Sequence, residues 1–460
     1  MAYLNFELTP KKTEKIETAH RTIVTDIPVP ETVGLLEDLR TFEPLSMSGQ
    51  PLVVWDRAEG FTVYDAYGNR WIDFSSGVLV ANCGHLRPEM KAALIDQIES
   101  GMIHSYCFPN EPRAKLVRRL VDLAPPGLDK VFLVTTGAEA TENAIKLAKT
   151  HGIRTTGPEK NIIVTFEGSF HGRTMGSQLA GGIPSLKDWI GELDPTFVQV
   201  PFPDGYRFEN TDFSVFTDSL KKQGVSPERV CGVMMEAYQG GIAGFYPDEY
   251  MKKLRKWCDD AGALLIDDEV QAGFGRSGRF FSIEHYQIVP DIICCGKGMS
   301  GGLPIAAVIG SSRFMDYYGP GEMTSTHSGN PLTCRSALTS IDILEKEGLV
   351  ENSRLMGEIL HEGLGKMQSD NPDVIGRVQG RGMVAALLMV KPNTKEPFHE
   401  LAFKIVEHSV QKGLMLYAPL GPGGGTVKMN PPLMITEEAL REGISVLAEA
   451  VARARKDVGI

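Results

Sequence analysis

The stretch KVFLVTTGAEATENAIKLAKTHG, residues 130–152, decides the architecture. An apolar run, Val131–Val134, stops at two threonines and a glycine, and a segment rich in Ala, Glu and Lys follows at once. The run reads as a strand and the segment as a helix, so the pair is half of a βαβ unit. The same alternation recurs downstream in NIIVTF (161–166), VCGVMMEA (230–237), YMKKLRKWCDDAG (250–262), ALLIDDEV (263–270), DIICCGKG (291–298) and PIAAVIG (304–310). Strands that are apolar throughout, rather than on alternate residues, are buried on both faces. They predict an α/β fold with a mostly parallel sheet between layers of helices. Function is then expected at the carboxyl ends of the strands. After about Asn330 two helical stretches lead into RVQGRGMVAALLMV (377–390), which reads as a hairpin. The expected organisation is a large domain over 61–330 and a smaller α+β domain built from 1–60 and 331–460.

Composition narrows the function. With 47 Lys plus Arg against 58 Asp plus Glu, the 460-residue chain carries a net charge of −11, which argues against nucleic acid as a partner. No run reaches the roughly 18 apolar residues a membrane span requires, and the opening MAYLNFELTPKKTEKIETAH lacks the apolar core of a signal peptide. A cytoplasmic location without membrane partners is the expectation. The seven cysteines are odd in number and mostly embedded in apolar runs, which predicts reduced core residues.

Three strand ends carry polar residues where an apolar run stops. In VTTGAEATENA, Thr135, Thr136, Gly137 and Ala138 open a helix, and small residues at a helix start leave N–H groups free for a phosphate; a plain helix cap is the competing reading. In ALLIDDEVQAGFGRSG, Asp267 and Asp268 end a buried run and precede Glu269, so a carboxylate at that rim calls for a cationic partner. No histidine lies near in sequence to complete a transition-metal set. In CCGKGMSGG (294–302), the position five before the Gly-Lys pair is Asp291 and Gly298 follows Lys297, which excludes a Walker A loop. Cys294 and Cys295 point to opposite faces of a strand and cannot form a zinc pair, so no metal is expected. What remains is a lysine whose amine burial would make nucleophilic, against the alternative of a helix-capping lysine. A phosphate cup, a strand-end carboxylate and a strand-end lysine are together the parts that hold pyridoxal phosphate.

From about Gly60 onward the chain resembles the class III (omega) aminotransferases, pyridoxal phosphate enzymes of fold type I, and most of all the 4-aminobutyrate type. The resemblance rests on TTGAEATENAIKLA, FHGRTMG, IDDEVQAGFGRSG, GKGMSGGLP and THSGNPL in that order. It implies Lys297 as the Schiff-base lysine and proton shuttle, and Asp268 as partner of the pyridinium nitrogen. Val270 and Phe170 would pack on the two ring faces, Gln271 would reach the ring hydroxyl, and Gly137 and Ala138 would bind the phosphate. Thr326 would reach the phosphate from a neighbouring subunit, in a homodimer or dimer of dimers with its site at the interface. For substrate it implies Arg173 on the distal anion of a short omega-amino acid, Glu236 on a second substrate-binding arginine, and Val78 in the pocket wall. That second arginine is replaced by Lys428, so both 2-oxoglutarate and pyruvate stand as acceptors. Taurine or β-alanine are the rival donors; decarboxylation and racemisation or epimerisation are the rival reactions on such a scaffold.

Overall fold

A computed structural model of the chain describes residues 4–460. The chain divides into two compact units, one made of the segment up to Arg87 together with Glu351–Ile460, the other of Pro88–Val350.

The second unit is built on a seven-stranded sheet. Its strands are β1 (Lys130–Val134), β2 (Ile162–Phe166), β3 (Phe197–Val200), β4 (Val230–Glu236), β5 (Leu264–Asp268), β6 (Ile292–Cys295) and β7 (Ala306–Gly310), in the order β1-β7-β6-β5-β4-β2-β3. β7 runs antiparallel to both its neighbours, and the contiguous run β6-β5-β4-β2-β3 is parallel. All seven residues of β4 and all five of β5 are buried, as strands covered on both faces must be. One face is covered by helix α1 (Gly137–Thr155), whose Ala140, Ala144, Leu147 and Ala148 pack with Val134, Ile163, Met234, Ile266 and Ile292. Alanines at this spacing let the helix lie close on the strands. An aromatic cluster of Phe166, Phe202, Phe216, Tyr246 and Tyr250 packs around the β2 side, ring against ring edge. The helix Pro331–Lys346, which the sequence pattern assigns to the smaller domain, belongs to this unit and packs along Pro88–Glu99 and Glu111–Leu123.

The first unit has a three-stranded antiparallel sheet in which the hairpin Ile375–Arg381/Val384–Met389 pairs with Thr426–Met429. Two long helices, His399–Gln411 and Glu437–Asp457, pack on each other beside it. A second sheet of short strands includes Arg70–Asp73, to which Leu414–Met415 adds in parallel. Six of the seven cysteines are buried thiols, while Cys107 is exposed, outside the core that the apolar-run argument assigns it to.

Helix α1 has a glycine in its interior for a steric reason. A Cβ on Gly152 would lie 2.2 Å from the Lys160 carbonyl oxygen and 2.6 Å from Cys231 Cβ. Alanine gains about 1 kcal/mol of helix propensity, but overlap with backbone that cannot swing aside costs more. Gly152→Ala is expected to destabilise the protein by about 2 kcal/mol in denaturant unfolding; a rise in the unfolding midpoint would contradict this packing.

Candidate active site

The carboxyl ends of β1, β2, β4, β5 and β6 carry the candidate residues of the second unit, apart from Thr326, which lies in the segment after β7. β5 ends at Asp268, 4% exposed, with Oδ1 accepting the Val270 N–H at 3.1 Å and Oδ2 lying 2.8 Å from His171 Nδ1. His171 Nε2 is buried without a partner in the structure, so the tautomer that fits carries its proton on Nδ1 and donates it to Asp268. In place of the cation expected for the strand-end carboxylates, the structure supplies a histidine ring N–H, and it serves Asp268 alone. Neither oxygen of Asp267 has a hydrogen-bond partner among the described residues. Sequence reasoning missed His171. It lies inside FHGRT between two residues that were singled out, and its signal is the turn that follows an apolar strand, β2.

Lys297 follows β6 after a single residue, Gly296, and opens a short 3-10 turn with a φ of 36°, a left-handed conformation that a lysine adopts only where its surroundings impose it. Burial holds its ammonium below the ordinary lysine value, while the charges of Asp268 and Glu236 pull it back up. Glu236, at the end of β4, is buried and accepts N–H groups from Phe170 at 3.1 Å and Gly240 at 3.0 Å. Burial pushes its carboxyl up to about 7; nearby His171 works against the shift and Asp268 adds to it.

Between these groups the packing is too close for substitution. A Cβ on Gly137 would sit 2.7 Å from Val270 Cγ1, and one on Gly296 would sit 3.3 Å from the same atom. Val270 thus wedges between the start of α1 and the residue before Lys297. Gly172 lies against Ala138, where a Cβ would come within 2.8 Å of the Ala138 methyl, and Gly240 leaves room for the Gln271 amide, 2.4 Å from where its own Cβ would be. At the start of α1, Thr136 and Glu139 form a reciprocal cap: Glu139 Oε2 accepts the Thr135 and Thr136 N–H groups and Thr136 Oγ1 accepts that of Glu139. The N–H groups of Gly137 and Ala138 are the two that this cap leaves over, at the positive end of the helix dipole.

Arg173 is exposed, its guanidinium 5.4 Å from the centre of the Phe170 ring. Among the described residues no carboxylate pairs with it, so the structural ion pair that competes with an anion-binding role is not made. Thr326 is exposed, and its neighbour Ser325 donates its hydroxyl to Glu139 Oε1 at 3.3 Å.

Two candidates lie in the first unit. Lys428 is 2% exposed on the edge strand Thr426–Met429, opposite Ala386. Val78 is 44% exposed in a run of four left-handed residues, Ser76, Gly77, Val78 and Leu79, with φ of 50°, 57°, 64° and 65°. A β-branched residue at such a φ is strained by about 1–3 kcal/mol, and the run is held from below. Asp73 Oδ1 accepts the N–H and hydroxyl of Ser75 at 2.7 and 2.6 Å, and Asp73 Oδ2 lies 2.7 Å from His85 Nε2. The Ser76 hydroxyl donates to the Asn430 carbonyl at 2.5 Å.

No cluster of three or more His, Cys, Asp or Glu side chains that could hold a metal occurs among the described residues, and no described helix is long and apolar enough to cross a membrane. The side chains present fit pyridoxal phosphate: two unused N–H groups for its phosphate, a carboxylate on a strand end for its ring nitrogen, and an amine of lowered basicity for its aldehyde.

The class-III aminotransferase family model matches residues 46–451. A 5-aminovalerate aminotransferase of Pseudomonas aeruginosa is 36% identical over 406 residues, covering 86% of this chain and 93% of the relative. A probable 4-aminobutyrate aminotransferase of Bacillus subtilis is 33% identical, covering 86% and 92%. An acetylornithine aminotransferase of Nitrosomonas europaea is 34% identical, covering 74% and 83%. Among solved structures, an amine transaminase of an uncultivated Pseudomonas species in its PLP-bound form superposes with a TM-score of 0.81 at 28% identity, covering 87% of this chain and 95% of that one.

The Gly137–Val270 contact gives a direct test. Gly137→Ala places a methyl group into Val270 beside the two unused N–H groups, and is expected to weaken pyridoxal phosphate binding about tenfold or more, an overpacking cost of about 1–3 kcal/mol. Titration of the apoprotein with the cofactor, followed by absorbance, measures it; unchanged affinity would detach this helix start from the site.

Proposed function

The chain belongs to the class-III aminotransferases and uses pyridoxal phosphate to move an amino group from a donor to a 2-oxo acid, and we propose that its donor is a short omega-amino acid, with 4-aminobutyrate favoured. The single observation that carries this is the Arg173 guanidinium, exposed, paired with no carboxylate and poised over Phe170. A planar fork of donors binds a carboxylate with two parallel hydrogen bonds, which suits a donor that carries its anion far from its amine. The substrates named for the relatives from Pseudomonas and Bacillus share that feature.

Bound cofactor supplies an electron sink that makes the C–H bond beside the donor nitrogen acidic. In this reading the Lys297 amine, kept neutral more easily by burial, takes up that proton at Nζ and returns it across the donor nitrogen on the cofactor side, a 1,3-transfer. The negative charge of Asp268 would keep the ring nitrogen protonated, and His171 holds the Asp268 carboxylate in one orientation. Val270 and Phe170 would confine the cofactor's ring, Gln271 would hold its hydroxyl, Gly137 and Ala138 would take its phosphate, and Thr326 would contribute from a partner subunit in a homodimer or dimer of dimers. Arg173 fixes the distal anion, so the reacting carbon is positioned before the proton moves. In the second half-reaction the acceptor 2-oxo acid runs the same residues in reverse. Glu236 and Lys428 govern that half. A lysine offers a point charge instead of a fork, so pyruvate competes with 2-oxoglutarate here. Val78 is assigned to the pocket wall.

A panel of 4-aminobutyrate, 5-aminovalerate, β-alanine, taurine and ornithine, crossed with 2-oxoglutarate and pyruvate, tests the reading; turnover of ornithine alone would sink it. Arg173→Ala is expected to raise KM for 4-aminobutyrate by about 10- to 100-fold, the worth of charge-assisted hydrogen bonds of about 1.5–3 kcal/mol, and to leave butylamine nearly unaffected. Equal losses for both amines would show that Arg173 does not bind the anion. Lys297→Ala should lose turnover while retaining cofactor through dialysis, as read by absorbance; residual wild-type turnover would remove Lys297 from the proton path.

A further inference from the structure

Asp267 and Glu269 flank Asp268 on the end of β5, two residues apart, so their side chains leave the strand on the face opposite to that of Asp268. Both are fully buried. Asp267 lies in register with Met235 of β4 and Ile293 of β6, enclosed by strand on either side. Neither of its oxygens meets a donor among the described residues, and neither does Glu269 Oε2, whereas Glu269 Oε1 accepts the Ile283 N–H at 2.7 Å. The titratable groups whose charges act on the pair are Asp268 between them, Cys294 and Cys295 from β6, Tyr246 from the segment after β4, and Glu284 from the 3-10 turn Ser282–Tyr286. None of these supplies a positive charge.

Two adjacent carboxylates in a dry site, with no cation among the groups that face them, would each carry an uncompensated buried charge, and each would repel the other. One proton between them removes both costs. We infer that Asp267 holds this proton and donates it to Glu269 Oε2, making Asp267 a positioning residue that locks the strand end presenting Asp268. The proton belongs on Asp267 because Glu269 already accepts a backbone N–H, which favours its ionised form. The electrostatics agree in direction: burial first, and then Glu269, push Asp267 well above the ordinary aspartate range, and Glu269 rises to about 7.

The lock matters because of what Glu269 ties together. Its N–H donates to the Cys294 carbonyl at 2.9 Å, joining β5 to β6, and its own carbonyl accepts the Gly273 N–H at 2.9 Å, closing the turn that carries Val270 and Gln271. With Oε2 left without a donor the Glu269 carboxylate would be held at Oε1 only, and the cofactor-facing residues 268, 270 and 271 share its backbone. A neutral Asp267 also spares Asp268 a like charge at its back. The inference rests on the cofactor site and is independent of which donor is used.

The test uses the holoenzyme and the isosteric, non-titrating variant Asp267→Asn. Its amide still donates to Glu269, so the pH midpoint of the bound cofactor's visible absorbance should match wild type; an ionised Asp267 would be revealed by a shift of about one pH unit on its removal. A group with a raised folded-state pKa stabilises fully below its unfolded value and loses that contribution as pH rises. The unfolding temperature of Asp267→Asn should therefore climb relative to wild type from about pH 5 to about pH 9. A difference that is constant with pH, or that falls, would overturn the assignment. Asp267→Ala, which leaves Glu269 Oε2 without a donor, should bind cofactor about tenfold more weakly, with Asn restoring it; equal weakening in both variants would refute the positioning role. Should Asp267→Asn fail to fold, the infrared spectrum of unmodified holoenzyme decides: a protonated-carboxyl stretch persisting at about pH 8 supports the shared proton, and its absence overturns it.

Discussion

The site turns on a charge placed where water cannot reach it. Asp268 ends a strand whose five residues are all buried, and its carboxylate is tolerable there because two donors converge on it: the Val270 N–H and the His171 ring. Those donors come from different places, one from the turn after β5 and one from the turn after β2. To satisfy a single carboxylate the fold must therefore bring two crossover connections to one edge of the sheet. Glu236, held by the N–H groups of Phe170 and Gly240, repeats the arrangement on the next strand. The result is a row of strand ends on which acid groups are fixed by backbone, with Lys297 pulled down in basicity among them.

The α/β architecture was legible because a parallel sheet writes itself as uninterrupted apolar runs, and β4, β5 and β7 are buried from end to end. The chemistry was legible wherever it interrupts such a run with a residue that has no business in a core. Asp268 after Ile266 and Lys297 after Cys295 are of that kind, and so is Gly137 at the start of a helix of good formers. His171 was not, since a single histidine in a turn has no spacing that distinguishes a support for a carboxylate from a surface ring. Helix Pro331–Lys346 shows a different limit. Its apolar stripe announces a helix but not which sheet or helices it will pack on, and its partners Pro88–Glu99 and Glu111–Leu123 lie more than 200 residues away in sequence. The left-handed run at Ser76–Leu79 was equally invisible, because only Gly77 among its four residues is of a type that favours the conformation.

That run shows how strain is carried in the first unit. Four consecutive residues with positive φ do not persist on their own preferences, and the hydrogen bonds around Asp73, Ser75, His85 and Asn430 hold them. Asp73, Ser75 and Asn430 are buried, His85 is half-buried, and the residue they display, Val78, is exposed. Rigidity below and exposure above is the arrangement expected of a surface that must meet a ligand without adapting to it.

Phe170 and Arg173 stand three residues apart on one turn, and the guanidinium rests near the face of the ring. In the proposed reading, with Phe170 as a wall of the cofactor pocket, the anchor for the far end of the substrate would be built onto the same turn that bounds the near end. With Arg173 as the proposed anchor of the distal anion, the turn would act as a ruler of fixed length whose zero mark is the cofactor ring. Donors one methylene longer or shorter would have to buckle or stretch between marks that do not move, and selectivity for chain length would follow from a single short stretch of backbone.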